Sequence, residues 1–294
     1  MSIGNGIRPR PAENFDAACL RFATLAARDG PEISAAGRSQ FYEHGRRTPR
    51  AVVLLHGLTN APEQWHQFAE QLHARGDTVV VPRFPGHGFA DRATHAIARV
   101  RSNDFLAVAS EAVDIARGAG ERVTLAGLSV GGAMAAWLAF ARDDIAQSLA
   151  IVPFIGIAKV DEPANRILTT LLGIAPNAFV PWDPKGDGSQ IPPYGYAKFP
   201  TRVLAACLAI GLDALRRSTT VTPAGRVDFA LNAREPACNN ALSEKMANRL
   251  AARAPGRVRS VVWDDLPANH DIIDPTNPSA RTDLVYPRLL KLID

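Results

Sequence analysis

Of 294 residues, 47% are hydrophobic and 21% charged, which supplies a sizeable buried core with a water-compatible surface and excludes a disordered chain. The net charge of +4 comes from arginines scattered along the sequence, with short pairs such as Arg46-Arg47 and Arg216-Arg217, so the clustered stripe of a nucleic-acid footprint is missing and no nucleic-acid partner is expected. Cys19, Cys207 and Cys238 form no C-x-x-C pair, the start carries Asn5, Arg8, Arg10 and Glu13 where a leader needs an apolar stretch, and no run reaches about 18 apolar residues; a cytoplasmic chain with reduced thiols and no stable membrane insertion is expected.

Phe15 to Ala27 places Phe15, Ala18, Phe22 and Leu25 on one helical face, predicting that residues 1–40 are a helical extension packed on the body. Ala51 to Leu55 reads as a buried strand, followed by a helix with Trp65, Phe68 and Leu72 on one face and by a strand Val79 to Val81 stopped by Pro82. A helix through Phe105, Val108, Ala112 and Ile115 leads to a strand from Arg122 to Ala126. From Val130 to Ala141 nearly every residue is apolar, predicting a helix buried on most sides, and Ser148 to Val152 is another strand. Strands alternating with amphipathic helices predict crossover units on a mostly parallel sheet, an α/β fold.

That rhythm breaks from Pro153 to Gly225. Pro176, Pro181, Pro184, Gly186, Gly188, Pro192, Pro193 and Gly195 interrupt regular structure, while Leu204, Leu208, Leu212 and Leu215 recur at helical spacing. Residues 153–225 are therefore expected to form a loop-rich cap with two or so helices, inserted into a core of residues 41–152 and 226–294. Strand and helix order returns with Val227 to Leu231, a helix near Ser243 to Ala252 and a strand from Val258 to Trp263.

Gly127-Leu128-Ser129-Val130-Gly131-Gly132 falls between a predicted strand and a predicted helix, where a nucleophile elbow sits. Flanking glycines relieve the crowding of so tight a turn, and a helix N-terminus favours developing negative charge. Ser129 is the candidate nucleophile. His56-Gly57-Leu58 follows the first long parallel strand, and the backbone N–H groups of Leu58 and Val130 are the candidate oxyanion donors. His56 itself reads as a residue that fixes the loop.

The strand before His56-Gly57, the loop Pro85-Gly86-His87-Gly88 and Gly127-Leu128-Ser129-Val130-Gly131 together resemble the carboxylesterase and monoacylglycerol-lipase branch of the α/β-hydrolases. The resemblance runs from about Phe41 onward, leaving out the cap and the first forty residues. It implies the α/β-hydrolase fold, into which the cap expected from the broken rhythm is inserted, and a serine hydrolase that uses no cofactor. His87 is expected to make structural hydrogen bonds in a loop beside the site. A serine hydroxyl needs a base, and in this fold an acid and then a histidine follow the nucleophile. His270, in Ala268-Asn269-His270-Asp271, is the only histidine after Ser129.

Asn232-Ala233-Arg234-Glu235-Pro236 matches the stretch in which the family carries its acid, so Glu235 takes a place usually held by Asp, and its extra methylene asks the loop to retreat. Asp264, Asp265 and Asp161 stay open as alternatives; Asp228 falls inside a strand and Asp271 adjoins the histidine too closely, and all five carboxylates otherwise read as solvated charge. No metal is expected: His66, His73, His87 and His95 read as surface histidines without an H-E-x-x-H pair, and Cys238 reads as inert packing with no adjacent base. The expected substrate is a small ester with a short to medium acyl or aryl group, or a monoacylglycerol, from the apolar cap residues Ile155, Ile157, Leu171, Leu172, Phe179, Trp182, Tyr194, Tyr196 and Phe199. Rival readings are carbon–carbon or amide hydrolysis by the same three residues and a non-catalytic binding protein that keeps the pocket. Oligomeric state is open.

Overall fold

Short runs rich in Val, Leu and Ala pair side by side because a strand buried on both faces needs no polar alternation. In the computed structural model, which describes residues 3–4, 7–182 and 191–293, the chain enters through α1 (Phe15–Ala26), capped by the Asn14 side chain accepting from the Ala17 N–H, and a short strand β1 (Gln40–Tyr42). Strands and helices then alternate as β2 (Thr48–Leu55), α2 (His66–Ala74), β3 (Thr78–Val81), α3 (Ser102–Ala119), β4 (Gly120–Leu128), α4 (Val130–Ala139) and β5 (Gln147–Ile151). After β5 come α5 (Glu162–Ile174), β6 (Phe179–Pro181), β7 (Lys198–Pro200) and α6 (Thr201–Arg217); β8 (Arg226–Asn232), α7 (Asn240–Arg253), β9 (Val258–Trp263) and α8 (Thr282–Leu292) complete the chain.

One sheet runs in the order β1-β3-β2-β4-β5-β8-β9, with β1 antiparallel to β3 and every other pair parallel. Side chains alternate between its faces. Val53, Leu55 and Leu125 enter one core with α1, α3, α4, α6 and α7, and Val52, Leu54, Ala126 and Leu128 enter the other with α2 and α8. All the parallel strands end at one edge of the sheet, and the loops leaving that edge carry the candidate site, as the crevice outside strand C-termini does in open α/β sheets.

The expected extension helix packs on α3, burying Ala18 and Leu25, with the Arg28 guanidinium bidentate on Glu111 at 2.7 Å. The excursion between β5 and β8 holds the two expected helices, but they differ in kind. Most of α6 is buried in the main core, and a Cβ on its Gly211 would lie 2.2 Å from the Phe154 carbonyl oxygen, whereas α5 buries only Asn165 and exposes Ile167, Leu171 and Ile174. Between them β6 and β7 pair as an antiparallel ribbon where only loop was expected. The predicted breaks at Pro184, Gly186 and Gly188 lie outside the described residues.

Candidate active site

Ser129 sits at φ 58°, ψ −116° between β4 and α4, a left-handed backbone that costs a serine energy and survives only where its surroundings fix it. They do: the Ser129 N–H donates to Ile151 O at 3.0 Å, and Ser129 O accepts from the Ala133 and Phe154 amides, both at 2.9 Å. The flanking glycines are required by close approach. A Cβ on Gly127 would lie 2.3 Å from the Gly131 backbone, and one on Gly131 would lie 2.2 Å from Leu55 O.

The loop after β2 is held from several sides. His56 is fully buried; its Nε2 accepts from the Phe84 N–H at 3.2 Å, which leaves the proton on Nδ1 to donate to Gly57 O at 2.9 Å. Burial, with His87 nearby, holds this imidazole well below its ordinary pKa, so it stays neutral. A trans peptide points its C=O and N–H in opposite directions, so anchoring Gly57 O also sets the direction of the Leu58 N–H. The Gly57 N–H donates to Gln64 Oε1 at 2.8 Å, and Gln64 Nε2 donates to Asp271 Oδ2 at 2.7 Å, tying this loop to the one that carries His270. The Val130 N–H opens α4 and has no partner within the helix.

His270 follows β9 and Glu235 follows β8. Glu235 Oε1 accepts from His270 Nδ1 at 2.8 Å and from the Ala237 and Cys238 amides at 2.7 and 3.0 Å, so the longer side chain folds back onto its own turn. Burial works against the carboxylate charge, but the imidazole and these N–H donors outweigh it and hold Glu235 below the usual range; burial likewise opposes the imidazolium, but the Glu235 charge outweighs it and holds His270 well above. Ser129 and His270 line one cavity of about 540 Å³, together with Leu58, Thr59, Trp182 and Tyr196. No hydrogen bond joins the Ser129 hydroxyl to the imidazole in this conformation; such bonds commonly tighten only as the reacting complex forms.

The structure brings Ser129, His270, Glu235, Leu58 and Val130 to one end of the sheet, and it does not bring Asp161, Asp264 or Asp265 there. Asp161 caps α5, Asp265 pairs with Arg288, and Asp264 is exposed. Asp228 and Asp271 are not solvated as expected. Asp228 is fully buried among Arg226, Arg259 and Gln147, and Asp271 is buried between Gln64 and Asn60, its carboxyl pushed up to about 6 by burial and by Asp274. His87 is no surface histidine either: it is buried, donates from Nδ1 to Pro85 O, and burial lowers it to about 4.

Cys238 corrects a further expectation, because a base does stand beside it. Its Sγ lies 3.9 Å from His270 Nδ1 with the Ser129 hydroxyl also adjacent, and burial raises the thiol pKa, so it stays protonated. Glu235, Cys238 and His270 present ligand atoms within 4.8 Å of one another, a donor set that suits zinc in type, although Nδ1 is already engaged by the carboxylate. Two of the three, Glu235 and His270, were expected together from the sequence; that the Cys238 thiol also turns toward the imidazole follows from the path of the loop after β8. Of the apolar residues expected to face substrate, Trp182 and Tyr196 line the cavity, whereas Ile155 and Phe199 enter the core and Leu171 faces out.

No helix among the described residues is long and apolar enough to cross a membrane. A stretch of 131 residues, 44% of the chain, is 34% identical to a thermostable monoacylglycerol lipase of Bacillus sp. (strain H-257); it spans 47%, about half, of that relative's length. The fold is shared with a solved structure of metagenome-derived lipolytic enzymes (TM-score 0.70, 19% identity, 89% of this chain and 98% of the other) and with the monoacylglycerol lipase of Paleococcus ferrophilus (TM-score 0.67, 15% identity, 87% and 97%). The sequence pattern of the Alpha/beta hydrolase family matches residues 52–289, from inside β2 to inside α8 and across every loop that builds the site, so the chain belongs to the Alpha/beta hydrolase family.

Proposed function

We propose that this chain is a serine hydrolase that cleaves small carboxylic esters through an acyl-enzyme. The observation that carries the reading is the 2.8 Å pairing of Glu235 with His270 on the wall of a cavity that the strained Ser129 also lines. In the first half-reaction Ser129 Oγ adds to the ester carbonyl carbon while His270 Nε2 takes its proton, and Glu235 stabilises the imidazolium. The carbonyl electron pair moves onto oxygen, where the Leu58 and Val130 amides donate to it; one such donor is worth about 3 kcal/mol in the transition state. Collapse expels the alcohol, which takes the proton back from His270. Water then repeats the sequence on the acyl-serine and releases the acid.

The cavity suits an ester with an apolar acyl part and a polar alcohol part. Leu58, Trp182, Ile191 and Tyr196 offer apolar surface, and Asn60, Asn277 and Ser279 offer hydrogen-bonding groups. Kinship with a lipase of monoacylglycerols favours that substrate class alongside short and medium acyl or aryl esters. Residues 153–225 act as the cap over this cavity, with α6 as its root in the core, and residues 1–40 as an extension braced on α3. The chemistry needs no cofactor and no partner beyond the ester, and three unpaired thiols fit a reducing, cytoplasmic setting.

Initial rates on p-nitrophenyl esters of graded acyl length, and on a monoacylglycerol, test the reading. Turnover is expected for acyl groups that fit the cavity, falling by about 10³-fold or more in Ser129→Ala, with a fluorophosphonate probe labelling the parent protein and not the variant. Absence of both turnover and labelling in the parent would remove the reading. Tight binding of ligands without labelling would replace it with a binding protein.

A further inference from the structure

The residues flanking the ribbon β6–β7, Trp182 and Tyr196, do more than wall the cavity. The two flanks converge on one residue of the loop after β2, Thr59, which has a left-handed backbone at φ 64°, unfavourable for a β-branched side chain. Trp182, directly after β6, donates its indole N–H to Thr59 Oγ1 at 2.7 Å, and that hydroxyl donates on to Leu58 O at 2.6 Å. Tyr196, two residues before β7, donates its backbone N–H to Thr59 O at 2.9 Å. Each flank is itself anchored. The Trp182 amide donates to Ala197 O and its ring packs on Phe199 at 4.3 Å between centroids, while the Tyr196 hydroxyl accepts from the Phe89 N–H and donates to Gly86 O.

The consequence falls on Leu58. Its preceding peptide is oriented by His56 through Gly57 O, and its following peptide by the relay from Trp182 through Thr59. Without the relay the Leu58 carbonyl loses its donor, the peptide between Leu58 and Thr59 is free to rotate, and the Leu58 amide turns with it. We propose that Trp182 and Tyr196 are positioning residues for the oxyanion loop, so that the inserted ribbon holds the Leu58 N–H aimed at the reacting carbonyl. The proposal rests on the hydrolase reading above and adds a role for the insertion in the transition state rather than in substrate binding alone.

Two variants separate this role from that of a pocket wall. Trp182→Phe keeps an aromatic ring and removes the indole donor; Thr59→Gly removes the hydroxyl while accepting the left-handed backbone without strain. The readouts are kcat and KM on a p-nitrophenyl ester, and the inhibition constant of a trifluoromethyl ketone, whose carbonyl carbon bonds to Ser129 Oγ while its oxygen becomes the oxyanion and the serine proton passes to His270. Both variants are expected to lose about tenfold in kcat with KM within about threefold, and to bind the ketone about tenfold more weakly, a part of what loss of the whole donor costs. Thr59→Gly is expected to keep or raise the melting temperature, which excludes unfolding as the cause. Unchanged ketone affinity, or a rise in KM alone, in variants of an active parent would overturn the positioning role and leave the hydrolase reading intact. A parent that neither turns over ester nor binds the ketone would overturn both.

Discussion

His270 stands between a buried carboxylate and an open cavity, and the carboxylate sets how tightly it holds a proton. Because Glu235 raises the imidazole above its ordinary 6.5, the base form is lost as pH falls through that raised value, so the acid limb of kcat/KM is expected to have its midpoint above 6.5. Glu235→Gln removes the charge. The limb then moves to lower pH while the rate on the plateau falls by about 10³-fold or more, since the amide no longer favours the imidazolium or its orientation; a pH–rate profile of both proteins checks it, and an unmoved limb would point to another acid. At this scale the sequence revealed the groups whose local context is distinctive, Ser129 in its glycine turn and His270 as the sole downstream histidine. It concealed those defined by side-chain direction or distant neighbours: Cys238 follows Glu235 by three residues, but only its side-chain direction brings it to the imidazole, and nothing near Asp271 in the chain announces its burial under Gln64.

The strands were the most readable elements, because burial on both faces leaves unbroken apolar runs such as Val52 to Leu55 and Val79 to Val81. Alternation with helices was enough to predict a parallel sheet. Elements whose stability comes from elsewhere were not readable: α8 tolerates Pro287 because Val285, Tyr286, Leu289 and Leu292 are buried, and β1, β6 and β7 are three-residue pieces that exist only through pairing. Helix α6 matched its leucine spacing, but not its expected place in a loop-rich lid. Its Gly211 packs so tightly against Phe154 O that a Cβ would clash, and the Phe154 N–H in turn donates to Ser129 O. Gly211→Ala therefore pushes the helix off the segment after β5 whose Phe154 amide steadies the elbow. A loss of about 1–3 kcal/mol by thermal or urea denaturation is expected, with a lowered kcat in the protein that stays folded; a variant equal to the parent in both would contradict this packing.

Across the whole molecule the two edges of the sheet divide the work. Serine, acid and base lie where the parallel strands end, whereas Asp228, Arg226, Arg259 and Gln147 gather where β5, β8 and β9 begin, and Leu292 O of α8 closes that group. Asp228→Ala leaves two half-exposed arginines without their shared carboxylate, and a loss of about 2 kcal/mol is expected after solvent screening. kcat of the folded protein should stay within about twofold; a large fall would show the two edges to be coupled. The order of strands also has a consequence for synthesis. β2, β3, β4 and β5 are neighbours and all leave the ribosome before residue 152, so the turn at Ser129 can be finished early in elongation, whereas its proton acceptor emerges only after the insertion and two more strands. On the proposed chemistry a nascent chain is silent until residue 270 has emerged, and chains stalled short of residue 235 should escape a serine-directed probe that marks the 294-residue chain.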